Sequence, residues 1–164
     1  MKHRVAITAL SVSAAFVIAQ LWPHEGWTER AVVPVPGDVP TVGPGLTKRS
    51  DGTPVRLGDT VKPLEGAARS LAHIQKDETR LRACVTAPLT QGEYDELLGF
   101  AYQFGVATAC SSSIVRNINA GDYAAACDSY LKYKFVAGRD CSLPGSTCRG
   151  VWVRAQDRQK KCLG

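Results

Sequence analysis

His24-Glu25-Gly26-Trp27, followed by Gly37-Asp38-Val39-Pro40-Thr41-Val42-Gly43, is the stretch on which the fold turns. Between these segments Ala31-Val32-Val33-Pro34-Val35 reads as a strand, Pro36-Gly37 as a turn, and residues 39–42 as a returning strand. Pro34 and Pro40 lack the amide that a central ladder requires, so the pairing is expected to be edge-like or irregular. A polar loop containing Ser50-Asp51-Gly52 follows, then a short third strand over 53–57. The result is a small β-rich lobe carrying carboxylates at Glu25, Glu29 and Asp38.

From Thr60 the pattern becomes helical. Pro63 suits a first helical turn, and Leu64, Ala67, Ala68, Leu71, Ile74, Leu81 and Val85 recur at mostly three- and four-residue intervals, as one helix face requires. Pro88 ends this long helix. Thr90-Gln91-Gly92-Glu93 then reads as a capping box, in which Thr90 takes an orphan amide and Glu93 reaches back. Leu97, Leu98, Ala101, Tyr102 and Phe104 supply the buried face of that helix, and Gly105 stops it. Short helices are expected over 111–118 and 122–133, the second after Asn119-Ala120-Gly121. A last helix, capped by Ser146 or Thr147, should run to about Lys161. The fold class is therefore α+β and mostly helical: a small β-hairpin lobe joined by a long helix to a helical lobe.

The chain has 164 residues, enough for one domain with a genuine core. Its net charge of +5 suits work near an anionic polymer or surface, with a salt-sensitive effect. No run of Lys and Arg with interleaved aromatics argues for nucleic acid. Six cysteines stand at Cys84, Cys110, Cys127, Cys141, Cys148 and Cys162, none with the spacing of a zinc or redox motif. An even number without such a motif suggests disulfides and an oxidising compartment. Cys141 and Cys148 flank the turn-forming Ser-Leu-Pro-Gly-Ser-Thr and read as a local bridge. The other pairings stay open, since fifteen are possible for six cysteines. His3, His24 and His73 show no ligand spacing, so neither a metal nor any other cofactor is assigned.

Lys2, His3 and Arg4 precede an uncharged run over residues 5–22. A basic start before an apolar run is an export signal whose basic end stays in the cytoplasm. The run is long enough to span a bilayer, yet its Ala, Ser, Thr8 and Gln20 leave it only marginally apolar. A cleaved signal peptide would use the imperfect site at Val17-Ile18-Ala19, and a permanent anchor would be more apolar. Composition and spacing favour a weak, uncleaved anchor over 1–22 that can leave the membrane, followed by a catalytic domain over 23–164.

Leu89-Thr90-Gln91-Gly92-Glu93-Tyr94-Asp95, Phe100-Ala101-Tyr102-Gln103-Phe104-Gly105 and Asn119-Ala120-Gly121-Asp122-Tyr123, in that order, resemble the phage-type lysozymes, glycoside hydrolase family 24. The segments around Glu25 and Thr41, and the close from Arg154 to Gly164, fit the same family, and the weak anchor resembles that of signal-anchor-release endolysins from phages of Gram-negative bacteria. The resemblance implies a lysozyme-like fold and cleavage of the β-1,4 bond between N-acetylmuramic acid and N-acetylglucosamine in peptidoglycan, for host lysis. It implies Glu25 as proton donor, an Asp across the cleft and Thr41 as positioner of water. Asp38 is the candidate Asp, although it lies nearer the Thr than the family pattern has it, and Gly43-Pro44-Gly45-Leu46 replaces the common Gly-Tyr-Gly-His. Glu29 is the rival second carboxylate, four residues after Glu25 and on its face if the segment is helical. Gln103 is the candidate for hydrogen bonding to sugar. The implied setting is a monomer tethered to the inner membrane through residues 5–22, facing the periplasm, then released there in concert with a holin or pinholin.

The chemistry fits these residue types. A general acid at neutral pH needs an apolar setting, which Trp22, Trp27 and nearby valines offer Glu25, while the second carboxylate stays ionised to activate water or stabilise an oxocarbenium-like state. Each residue also has a plainer use: Glu25 pairing with Arg30, Asp38 capping its own turn, Thr41 as a strand former, Gln103 solvating a helix end. Two other functions remain open. A lytic transglycosylase would need the Glu but less the Asp, and a disulfide-stapled, membrane-tethered module would bind cell wall without cutting it.

Overall fold

The structure is a computed structural model that describes residues 2–12, 16, 26–34 and 37–164. Two compact units emerge, one of Ser11–Glu78 and one of Met1–Leu10 with Thr79–Gly164. The first holds a two-stranded antiparallel hairpin, β1 (Thr28–Val32) and β2 (Thr41–Gly43), with the start of a long helix, α1 (Pro63–Cys84). The second holds the end of α1 and then α2 (Gln91–Phe104), α3 (Val106–Ser111), α4 (Ser113–Asn119), α5 (Tyr123–Ser129), a 3-10 turn (Tyr130–Lys132), a second hairpin of β3 (Phe135–Val136) and β4 (Arg139–Asp140), and α6 (Arg149–Leu163).

The β unit closes around Ala31, Val42, Val55 and Val61, with Trp27 and Leu46 packed against them. Register places Thr28 opposite Gly43 and Val32 opposite Thr41, with an irregularity between. This is the pairing expected of a ribbon carrying Pro34 and Pro40. The strands lie elsewhere than the valine run suggests: β1 begins at Thr28, and β2 is confined to Thr41–Gly43. Val35 and Pro36, and with them the start of the expected turn, lie outside the described residues. The other edge of β1 is covered by residues 59–61, where the Ala31 amide donates to Asp59 O at 2.8 Å and Val61 N–H to Glu29 O at 3.0 Å. The third strand expected over 53–57 reduces to a single bridge between Lys48 and Pro54.

In the helical unit the capping box forms as expected: Thr90 Oγ1 accepts the Glu93 amide at 3.1 Å, and Glu93 Oε2 accepts the Thr90 amide at 2.9 Å. Gly105, at φ 85°, ends α2 in a conformation that favours glycine. The short helix expected over 111–118 is α4, and a further short helix, α3, precedes it; Ser112 separates the two, and its hydroxyl caps α4 through the Val115 amide at 3.1 Å. Asp122 caps α5 in the same way. The last helix starts later than expected: its N-cap is Cys148, with no side-chain cap from Ser146 or Thr147. Leu81, Leu89, Tyr94, Leu97, Leu98, Phe100, Ile114 and Tyr130 form the fully buried centre. Phe100 meets Phe104, Tyr130 and Tyr133 with ring centroids 4.6–5.8 Å apart, the edge and offset geometry that aromatic pairs prefer.

Three disulfides staple this unit: Cys84–Cys110, Cys127–Cys162 and Cys141–Cys148. The local bridge expected from the loop is present. The other two tie the end of α1 to α3, and α5 to α6.

Residues 2–10 pack with the helical unit. Val5 and Leu89 exchange both backbone hydrogen bonds at 2.9 Å. Ile7 and Leu10 are buried, and Lys2 Nζ donates to the last carbonyls of α6, Cys162 O at 3.0 Å and Leu163 O at 2.8 Å. That cation complements the negative end of the helix dipole. Of the expected anchor, residues 13–15 and 17–22 lie outside the described residues, and among the described residues no helix is long and apolar enough to cross a membrane.

Candidate active site

Glu25, with its neighbours Trp22 and His24, lies outside the described residues. What the structure fixes is the chain immediately after it. A Cβ on Gly66 of α1 would stand 2.7 Å from Trp27 Cζ3, and a Cβ on Gly43 of β2 would stand 3.3 Å from the same atom. The Trp27 indole thus fills the gap between helix and hairpin, and only glycine on both sides admits it. Gly66 is a helix-interior glycine, which ordinarily costs stability. Its presence is the sequence signal that another group approaches the backbone there. Trp27 clamps the backbone two residues after Glu25 in the chain.

Thr41 opens β2, paired with Val32 and half-buried. Successive strand residues face opposite ways, so Val42, which is buried in the lobe core, leaves Thr41 on the other face. Val42 and Leu46 exchange both backbone hydrogen bonds at 2.9–3.0 Å around Gly43-Pro44-Gly45. Gly43 and Gly45 adopt φ of 65° and 82°, so a Pro between two left-handed glycines closes the turn just after Thr41. Asp38 is exposed just before β2, and its Oδ1 accepts the amide of Val39 at 2.8 Å. That bond is the plain turn-capping use foreseen for this residue, and it leaves Oδ2 for other partners. Glu29 is exposed on β1 and not on a helix, so the spacing that would set it on one helical face with Glu25 does not apply.

On the Val42 side opens a polar hollow of about 200 Å³, lined by Arg49, Asp59, Thr60, Glu65 and Arg69 among others. Arg49 grips Asp59 through Nε at 2.7 Å and Nη2 at 3.0 Å. With the Arg56 amide, that grip holds the Asp59 carboxyl down at about 2. Arg69 faces Glu65 at 3.5 Å and donates to Lys48 O. The charges here are balanced among themselves, and among the described residues neither Asp38, Thr41 nor Gln103 lines the hollow.

Gln103 belongs to α2 in the helical unit. Its Oε1 accepts Arg158 Nη1 at 2.7 Å, while Arg158 Nη2 reaches Gly99 O at 3.1 Å. The carboxamide is therefore oriented, with its NH2 as the group available to a further acceptor. Beside Arg158, Glu96 is buried on α2. Burial raises its carboxyl to about 7, against the opposing pull of Lys161 and Arg158. Sequence reading passed over this residue because a Glu inside a capped helix ordinarily reads as solvent-facing. The Asn119-Ala120-Gly121-Asp122-Tyr123 motif proves to be framework. Asn119 accepts the Thr86 amide and donates to Cys84 O, both at 2.8 Å, and the Tyr123 hydroxyl donates to Pro88 O at 2.8 Å.

The family model described as phage lysozyme matches residues 23–151. The chain belongs to the phage lysozyme family. Among curated relatives of this phage lysozyme, the endolysin of Salmonella phage P22 is 31% identical over 102 residues, covering 62% of this chain and 69% of its own. The SAR-endolysin of Escherichia phage 933W is 27% identical over 170 residues, covering 98% of this chain and 91% of its own. Among solved structures, a mutant of P22 lysozyme superimposes with a TM-score of 0.79 at 24% identity, covering 94% of this chain and 99% of that one. The last likeness speaks to the fold: the lysozyme-like α+β arrangement expected of the sequence is the one observed.

Proposed function

We propose that this phage lysozyme is an endolysin that hydrolyses the β-1,4 bond between N-acetylmuramic acid and N-acetylglucosamine in peptidoglycan, lysing the host cell. The observation that carries the reading is the family match over residues 23–151, which spans Glu25, Asp38, Thr41 and Gln103 at once. Glu25 protonates the leaving oxygen. Asp38, exposed and with one oxygen unclaimed, activates water from the opposite face of the sugar as general base, in the inverting manner. Thr41 holds that water on the face of β2 turned away from the core, and the NH2 of Gln103 donates to sugar.

The localisation reading rests on the same footing. A relative named SAR-endolysin covers nearly the whole chain, its N-terminal segment included. Residues 5–22 would tether the protein to the inner membrane facing the periplasm and then leave it, with a holin or pinholin as trigger. Residues 5–10 of that segment pack with the helical unit, which fits a released and folded state. Leucine in place of its Ala and Ser residues should trap the protein in the membrane; release of such a variant would count against the tether.

The test of activity is clearing of outer-membrane-permeabilised Gram-negative cells by the full chain and by Glu25→Gln. The variant should lose at least about a hundredfold in rate, the scale of a lost general acid. Equal clearing by both would place the acid elsewhere, and clearing by neither folded protein would favour a wall-binding module. Asp38→Asn should also lose most activity, and a product anomer of inverted configuration should accumulate. Retained activity in Asp38→Asn with anhydro-sugar products would mean transglycosylation.

A further inference from the structure

The second hairpin is unlike the rest of the helical unit in having no interior side. Adjacent strand residues face opposite ways, yet Phe135 is 54% and Val136 43% exposed, so both faces meet solvent. Leu143, three residues past β4, is 57% exposed. A lone two-stranded hairpin is marginal in water, and this one is held by other means. Ala137 and Gly138, at φ 47° and 77°, make a tight turn with left-handed backbone at both central positions. Lys134 Nζ bonds Asp140 at 2.9 Å and Ser142 Oγ at 3.2 Å, Arg149 donates to Ser142 O, and Cys141–Cys148 closes the loop beyond. The apolar side chains are thus displayed permanently on a braced knob.

The charge of the stretch that carries this knob is one-sided. Residues 130–164 hold eight Lys and Arg against two acids, Asp140 and Asp157, so this stretch accounts for the whole of the chain's net positive charge. Lys134 Nζ lies 5.4 Å from the centroid of the Phe135 ring, and Lys132, Arg139 and Arg149 are exposed near it in sequence. Exposed Phe, Val and Leu with exposed cations close by in the chain match a bilayer interface, where apolar side chains enter the acyl boundary and Lys or Arg meet anionic headgroups.

We propose that the stapled hairpin knob over residues 134–148, with its basic surround, docks the folded enzyme on an anionic phospholipid surface. This contact is separate from the N-terminal segment and goes beyond the cutting of wall; it would keep released enzyme in the thin layer between membrane and peptidoglycan.

The test is co-sedimentation of the full chain with phosphatidylglycerol/phosphatidylethanolamine vesicles and with phosphatidylcholine vesicles. The parent should bind the anionic vesicles in a salt-sensitive manner and the neutral ones at least tenfold more weakly. Phe135→Ser with Leu143→Ser, and separately Lys132→Glu with Arg139→Glu, should each lower anionic-vesicle binding at least tenfold while cell-wall clearing stays unchanged. Absence of vesicle binding by the parent overturns the proposal. So does undiminished binding by the variants, which would assign the contact to the N-terminal segment. Loss of binding to purified cell wall in place of vesicles also overturns it, since the knob would then face the glycan. Should the double variants melt early, Phe135→Trp gives a second reading: its emission, corrected for the parent's tryptophans, must shift to the blue on anionic vesicles. An unshifted spectrum overturns the proposal by itself.

Discussion

Arg4 holds Glu93 by a fork, with Nε 2.9 Å from Oε2 and Nη2 2.5 Å from Oε1, while the Glu93 carboxylate also accepts the Thr90 amide. The guanidinium lies 3.5 Å from the centroid of the Tyr123 ring. A residue near the start of the chain thereby completes the cap of α2, 89 positions on. Glu93 is buried, so Arg4→Gln leaves its carboxylate with the support of Thr90 alone. We expect a loss of about 2–4 kcal/mol in denaturant unfolding; an unchanged midpoint would show the fork to be idle. Burial alone would raise the Glu93 carboxyl, but the Arg4 and Thr90 bonds outweigh it and hold the carboxyl below its ordinary value. The contribution is therefore present above the unfolded carboxyl value and lost as pH falls through the lower folded one. Acid unfolding of Arg4→Gln should be correspondingly shallower.

Gly66→Ala tests the Trp27 clamp. The added methyl would meet the indole at 2.7–2.8 Å, whereas in an ordinary helix the same change stabilises by nearly 1 kcal/mol. Here it should destabilise by about 1–3 kcal/mol, the usual cost of overpacking, and lower wall clearing by shifting the chain that carries Glu25. A more stable and fully active variant would show that Trp27 simply moves aside.

Glu96 acts in the opposite sense to Glu93 and in another pH window. Its carboxyl rises from 4.5 to about 7 through burial. As pH climbs through that interval the unfolded chain releases this proton first, so stability falls and then levels off above about 7. Glu96→Gln should remove that decline and gain about 1–3 kcal/mol at pH 8 relative to the parent. Parallel stability profiles for the two proteins between pH 4.5 and 8 would refute the assignment.

The disulfides should differ in weight by the loops they close. Cys84–Cys110 and Cys127–Cys162 span 26 and 35 residues, against 7 for Cys141–Cys148. Chain-entropy arguments give about 3.5 kcal/mol for each long bridge and about 2.4 for the short one. Replacing Cys127 and Cys162 by Ser should therefore lower the melting temperature more than replacing Cys141 and Cys148. The reverse order would mean that the small loop stabilises by bracing the second hairpin.

That second hairpin was not legible in the sequence. Its strands are two residues each and its turn uses Ala137 where Asn, Asp or Gly is usual, so period and turn chemistry both fell below notice. The first hairpin was legible but displaced, because the valine run marked apolar content while pairing was decided by contacts of Ala31 and Glu29 with residues 59–61. Of the candidate site, Thr41 lies on the returning strand as read, whereas the Arg158 grip on Gln103 joins residues 55 apart and left no mark in local sequence.

The sequence by itself determined what depends on neighbours within a turn or two: the capping box at Thr90 and Glu93, the long helix from Pro63, the stop at Gly105, the local bridge between Cys141 and Cys148, and the family to which these motifs in order belong. Only the tertiary structure decided the partners of the other four cysteines, the docking of Lys2 and Arg4 on the helical unit, the clamp of Trp27 between two glycines, and the neutral-range carboxyl of Glu96. The reason is physical. Helix period, caps and turns are set by short-range sterics and hydrogen bonds, while burial, ion pairing and close packing depend on which distant segments the folded chain brings into contact.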